Sequence, residues 1–429
     1  MTSEVLIMNE ECVAIAADSA ATVGLKTYKA DKIFNLSDTQ PIGIMIYGSA
    51  RISGVPAGII IKEYRSQLKK TFSTISECVS DFLNFVENGG SNSYKSNPII
   101  TSDRIDENIY DCCLDMLEDL KGAVEREYYK KLAEIDFDDD SDLSEKLDEI
   151  DREKIMGKVV ERILNYLDEK LNKRDVKNFM KRLFENEGVC KAINGFAVYP
   201  SKDKTEIFRL LAMFLISKEI TLIRRDTGIV IMGYGTDDLF PSFEEVVING
   251  LFYKGLNYRE EPGVKISSGE RSYIEAFAQD DVVRTYLYGI DDGFYENMPG
   301  DILAIMDTLT DTIFTTIGGD EKAKEIIKRR NKEQVDKYIS KIEDFSVENY
   351  LEPTKKALCH LSKDEMASMA ESLIHFTSLK RHVSKDPESV GGPIDVAIIS
   401  RSEGFIWIKR KYYFDITLNP HYLERRRGT

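Results

Sequence analysis

The chain has no run of about 18 consecutive apolar residues, which excludes an α-helical membrane span. Its first residues hold no basic stretch followed by an apolar core, so no secretory signal is expected and the location read from the sequence is cytoplasmic. Cysteine is sparse: Cys12, Cys78, Cys112, Cys113, Cys190 and Cys359 are scattered, with one adjacent pair, and make neither a disulfide framework nor a metal set. Histidine is sparser, with four residues, all after position 359 and none at ligand spacing. No metal and no cofactor is therefore expected. Positive charge is also short, at 58 Lys and Arg against 74 Asp and Glu. Phosphate binding needs the opposite balance, so a net charge of −16 argues against nucleic acid as a partner.

What remains is an ordinary globular composition, 42% apolar and 31% charged, in a chain of 429 residues with room for two or three domains. The apolar pattern begins almost at once. Val5 to Met8, the polar turn Asn9-Glu10-Glu11 and Cys12 to Ala17 predict a hairpin that ties the amino terminus into a sheet. Five segments follow from the patterning: strand-rich 1–69, a charged helical insertion over 70–203, mixed structure over 204–290, helices over 291–384, and closing strands with a basic tail over 385–429. Apolar residues at three-and-four spacing, such as Ile155, Val159, Ile163, Leu164, Tyr166 and Leu167, mark the helices. The stretch around SYIEAFAQDDVVRTYLYG also reads as helix. Strands at both ends and helices between them predict an α+β layered domain whose two chain ends share one core.

In the acidic run 136–149, Asp138, Asp140, Asp142 and Glu149 stand at calcium-loop positions, but Leu143 occupies the place where the sharp turn needs glycine. A solvated face is the expected reading. The basic clusters Lys409-Arg410-Lys411 and Arg425-Arg426-Arg427 are likewise expected to be solvated.

The first segment holds the candidate chemistry. Thr2 is small, so removal of Met1 is expected, leaving a hydroxyl beside a free α-amine whose ordinary pKa near 8 suits it as a base. Such a nucleophile also needs a cation to lower the hydroxyl pKa, a carboxylate to hold that cation, and N–H groups facing the oxyanion. Lys32, Asp18 and the backbone at Tyr47 or Gly48 are candidates. Taken singly, each has an ordinary reading: a common second residue, a surface lysine, a turn-capping aspartate.

The combination VAIAADSAATVG, KIF and GIMIYGSA resembles the start of proteasome β-subunits and bacterial proteasome-like peptidases, which are N-terminal nucleophile hydrolases. DPESVGGPIDVAIISRSEGFIWI resembles their D-x-x-S-G-G stretch and closing hairpin, and GIVIMGYG a central strand. A longer bacterial branch that begins MTxIVALMN and ends in GGPIDVAVI is also similar. The resemblance implies a four-layer αββα sandwich with large helical insertions. It implies Thr2 as nucleophile, Asp18 and Lys32 as its tuning pair, Tyr47 or Gly48 as oxyanion donor, and Asp386 and Ser389 near the amine. It places Asp280 where the family has a serine, and Val390 interrupts the family's Ser-Gly-Gly spacing. The Asp18-to-Lys32 interval is shorter than the family's, which alters the hairpin shaping the substrate pocket. The implied function is a threonine peptidase acting on peptide or protein within a homo-oligomeric ring or helical assembly, with any ATPase partner unknown. An inactive self-assembling scaffold and an amidase with a dedicated substrate remain open.

Overall fold

The computed structural model describes residues 3–23, 26–88, 102–133, 151–196, 204–217, 226–252, 255–318, 320–383, 392–412, 414 and 418–419. The strands are β1 (Ser3–Asn9), β2 (Cys12–Ala17), β3 (Ala20–Val23), β4 (Lys26–Lys29), β5 (Ile33–Asn35), β6 (Ile42–Gly48), β7 (Arg51–Ile52), β8 (Val55–Pro56), β9 (Thr227–Gly233), β10 (Ser242–Phe252), β11 (Gly255–Lys265), β12 (Ser272–Ala278), β13 (Asp395–Ser400) and β14 (Gly404–Lys409). The helices are α1 (Ala57–Gln67), α2 (Ile75–Asn88), α3 (Ser102–Ala133), α4 (Arg152–Asp168), α5 (Lys173–Glu185), α6 (Glu187–Gly195), α7 (Thr205–Ile216), α8 (Asp281–Tyr288), α9 (Asp292–Ile317), α10 (Glu321–Ser346), α11 (Glu352–Leu358) and α12 (Lys363–Val383), with a π-helical turn at Val347–Leu351. Among the described residues, no helix is long and apolar enough to cross a membrane.

The fold is mixed α and β around two antiparallel five-stranded sheets, in the orders β12-β1-β2-β13-β14 and β11-β10-β9-β6-β5. Strand alternation sorts the apolar side chains of each sheet onto two faces. Leu6, Met8, Val13 and Ile15 meet Met45, Val230 and Met232 between the sheets. Val5, Ile7, Ala14 and Ala16 turn the other way and pack with Val283, Ala370 and Ile374 of α8 and α12. On the far side, Ile44, Ile46, Ile229 and Ile231 pack with Ile60, Tyr64, Phe82 and Phe85 of α1 and α2. Each such large side chain removed from water contributes roughly 1.5–3 kcal/mol.

The two chain ends do share one sheet: β2 pairs with β13 from Ala17↔Asp395 to Cys12↔Ser400. The hairpin turn forms where Asn9 falls, because its Oδ1 accepts from the Glu11 and Cys12 N–H groups (2.9 and 3.1 Å). Its amide also donates to the Leu358 and Leu361 carbonyls, fixing the end of α11 to the sheet (3.2 and 3.1 Å).

Three local expectations change. Residues 272–278 form β12, the strand beside β1, and the helix starts only at Asp281. The helical stretch from residue 70 divides: α2 packs with α1 under the second sheet, whereas α3 to α7 build a separate apolar cluster around Met116, Leu164, Phe179 and Leu211. In α4 the inward face is Ile155, Met156, Val160, Leu164 and Leu167, and Tyr166 is exposed. The acidic run 136–149 lies outside the described residues.

Candidate active site

The start of β1, the end of β2, the end of β12 and the start of β13 meet at one end of the first sheet. Lys32 enters between them from the lead-in to β5. Its ammonium is bonded to Asp18 Oδ1 and stands 3.3 Å from Glu4 Oε1. All three side chains are closed off from water, at 3% exposure for Lys32 and 0% for both carboxylates. Charges buried this deeply persist only when paired and hydrogen-bonded. Asp18 meets that condition: Oδ1 also accepts from the Ser3 N–H (3.1 Å) and Oδ2 from the Ala20 N–H (3.2 Å), while the Asp18 N–H donates to the Ser3 carbonyl (3.2 Å). The Ile46 N–H donates to the Lys32 carbonyl (2.9 Å) and fastens Lys32 to β6.

Successive N–H groups along a strand point to opposite edges. With Ile46 facing Lys32, the Gly48 N–H lies on the Lys32 edge and the Tyr47 N–H faces β9. Gly48 has φ +79°, and a Cβ there would run into the Asp226 carbonyl oxygen. The Tyr47 ring turns inward between the sheets, over Gly228 and stacked at 5.7 Å on Phe277. Its hydroxyl donates to Glu245 Oε1. Burial raises the Glu245 carboxyl above the ordinary range, partly offset by the Tyr47 bond and reinforced by nearby Glu261 and Glu275. A carboxyl raised on folding holds its proton more tightly in the folded chain, so its burial costs stability as pH rises through the folded value. Glu245→Gln, which keeps an acceptor for Tyr47, should therefore gain melting temperature over the wild type at pH 7 but not at pH 4. Thermal scans at both values check this.

Of the residues expected at the site, Asp18 and Lys32 are joined directly. Asp280 is not drawn in. Its side chain is 44% exposed and 3.9 Å from Arg284, while the neighbouring Asp281 takes the close bonds to Lys380 (2.9 Å) and Arg381 (2.6 Å). Thr2, Asp386 and Ser389 lie outside the described residues. Sequence reasoning missed Glu4, whose signal was a lone carboxylate in an otherwise apolar strand. It also missed Lys411, which is not solvated as expected. Lys411 is largely buried against Asp395 Oδ2 (2.8 Å) and the Ala30 carbonyl (2.7 Å), at the same end of the sheet. Ser19, buried beside Asp18, donates to the Pro393 carbonyl and holds the approach to β13.

A cavity of about 660 Å³ opens beside this cluster, lined by Asp31, Ile33, Phe34, Arg65, Trp407 and Arg410 among others. It borders both chain neighbours of Lys32, while the Lys32 ammonium itself faces the buried carboxylates.

Comparison with known proteins corrects the family expected from the motifs. No family model matches the chain, and no curated protein matches it. Two solved structures align over nearly its whole length. An Anbu mutant from Hyphomicrobium sp. strain MC1 has 10% identity, with 100% of this chain and 97% of that one covered and a TM-score of 0.28. Anbu (ancestral beta-subunit) from Yersinia bercovieri has 8% identity, with 99% and 94% covered and a TM-score of 0.28. Scores this low transfer neither a fold nor a family. Membership of the proteasome β-subunit-like family is therefore not sustained, and any functional argument has to stand on the site itself.

Proposed function

We propose that the chain is an N-terminal threonine hydrolase of amide bonds, built as a four-layer αββα sandwich, with Thr2 as nucleophile once Met1 is removed. The observation that carries this reading is the buried cluster of Asp18, Glu4 and Lys32 at the first residues of β1. Ser3, the residue after Thr2, donates its N–H to Asp18 Oδ1 (3.1 Å), which ties the first residues of β1 to a carboxylate-held cation of the kind a threonine nucleophile needs.

The roles follow from charge and direction. The neutral α-amine of Thr2 takes the hydroxyl proton as Oγ attacks the carbonyl carbon, becoming the ammonium. Lys32 lowers the cost of negative charge on the attacking oxygen, and Asp18 and Glu4 hold Lys32 in place. Gly48, rather than Tyr47, is the oxyanion donor in this reading, because its N–H is on the Lys32 edge. The ammonium proton then passes to the leaving nitrogen as the C–N bond breaks, and water hydrolyses the ester left on Thr2. A homo-oligomeric assembly and a peptide substrate belong to the same proposal.

A second reading, an inactive scaffold that assembles with itself, is favoured by one observation: Asp280 is 44% exposed and lies 3.9 Å from Arg284. Turnover separates the two. Processed chain incubated with a mixed fluorogenic peptide library should release product, and Thr2→Ala should release none. Equal signals from both would remove the hydrolase reading. A covalent adduct on Thr2 without peptide turnover would point to an amidase with a dedicated substrate.

A further inference from the structure

The cavity beside Lys32 is lined from β5 and β14, the last strands of the two sheets, and from α1. Its apolar wall is fixed by two cores. Ile33 belongs to the cluster between the sheets, against which Phe405 and Trp407 pack, and Phe34 and Ile61 belong to the cluster under the second sheet. Phe405 meets Trp407 edge to face at 5.1 Å. Three cations stand on the same wall. Lys62 is 3.8 Å from Asp31 Oδ2 and Arg65 is bonded to Asp38 Oδ1, so two of the charges are met within the cavity. Arg410 is different. Its guanidinium lies 4.7 Å from the centre of the Trp407 ring and 5.8 Å from that of Tyr412, and among the described residues it pairs with no carboxylate. Lys62, Arg65 and Arg410 against Asp31 and Asp38 leave one positive charge beside a set of aromatic rings.

We propose that this cavity binds a monocarboxylate carried on an aromatic body, either a free aromatic acid or the C-terminal aromatic residue of a peptide. Its volume of about 660 Å³ is within the roughly 300–1,000 Å³ of small-ligand sites. A guanidinium stacked on an indole keeps its edge N–H groups free to fork onto a carboxylate. The rings of Trp407, Phe405 and Phe34 offer the faces and edges against which another aromatic ring packs. The charge count sets the class of anion. A single carboxylate balances the one unmet cation, whereas a polyphosphate brings more negative charge than the wall has left to pair. A purely apolar ligand gains nothing from Arg410, and a cation is repelled by it.

Trp407 is the chain's single tryptophan, so its fluorescence reports directly on the cavity wall. The full chain is titrated with 3-phenylpropionate and with the peptide Ala-Ala-Phe, each beside its amide, which has the same shape without the charge. The carboxylates should change the emission saturably, with a Kd of about 1 mM or tighter for ligands of this size. The amides should bind at least about tenfold more weakly, the worth of a charge-assisted hydrogen bond. Arg410→Met should weaken the carboxylates by the same factor and leave the amides unchanged. Arg410→Lys, which keeps the charge and removes the fork, should fall between the wild type and the methionine variant, and it decides the matter if the latter fails to fold. Saturation by 3-phenylpropionate makes a free aromatic acid sufficient, and saturation by the peptide alone makes the ligand a peptide C-terminus. No saturable change with either acid, amides that bind as well as the acids, or carboxylate binding indifferent to both Arg410 substitutions overturns the proposal. The readout needs no turnover, so its failure is distinct from a failure of the hydrolase reading.

Discussion

Lys32→Met is expected to destabilise the fold by about 3–5 kcal/mol, the usual cost of removing one partner from a buried ion pair. Methionine matches the lysine stem in length, so little volume is lost and the effect isolates the charge. Without Lys32, Asp18 and Glu4 remain at 0% exposure with no ammonium between them. Denaturant unfolding at pH 8 measures the loss. The same substitution should slow acylation of Thr2 by at least about 10²-fold, the range found when a group assisting proton transfer is lost. A variant as stable as the wild type at pH 8 would mean that the two carboxylates are not held by Lys32.

Gly48→Ala combines two independent penalties. At φ +79° an alanine pays for a left-handed backbone, about 1–2 kcal/mol. Its Cβ would also meet the Asp226 carbonyl oxygen, which the Ser49 N–H holds in place at 2.9 Å. Such overpacking typically costs a further 1–3 kcal/mol. A total loss of about 2–5 kcal/mol is expected, read as an earlier denaturant midpoint. Any shift of the strand end also moves the N–H assigned to the oxyanion, so hydrolysis should fall more than the loss of folded protein explains. Retained stability would show that β6 can relax away from Asp226 at no cost.

How much of this was readable beforehand depended on whether local chemistry fixed the outcome. The β1–β2 hairpin was legible because Asn9 closes its own turn and apolar residues fill both strands. The Asp18–Lys32 pair was legible as a combination of residues, although neither position is distinctive alone. Glu4 was not, since a lone glutamate in a strand ordinarily faces water, and here its burial is met by Lys32 approaching from the lead-in to β5. β12 was read as helix because SYIEAFAQDDVV runs without glycine or proline into α8. The break is a backbone event at Ala278, which adopts φ 67°, a conformation that alanine seldom takes and that composition does not announce. Lys411 looked solvated within a basic run, and its burial depends on Asp395 and on the Ala30 carbonyl, a contact 381 residues away in sequence. The family expected from the motifs did not survive comparison. Short matches at the two ends described residues that fold together, but no family model matches the chain.

The central claim is that the buried Asp18–Glu4–Lys32 cluster serves a free amino-terminal threonine. Intact-mass measurement of the purified chain, with and without a β-lactone electrophile, tests it most directly. The expected result is a mass lacking Met1, a single added lactone mapped by fragmentation to Thr2, and addition at least about 10²-fold slower in Lys32→Met. A chain that retains Met1 in full, or one that loses it and still takes up no lactone, would contradict it.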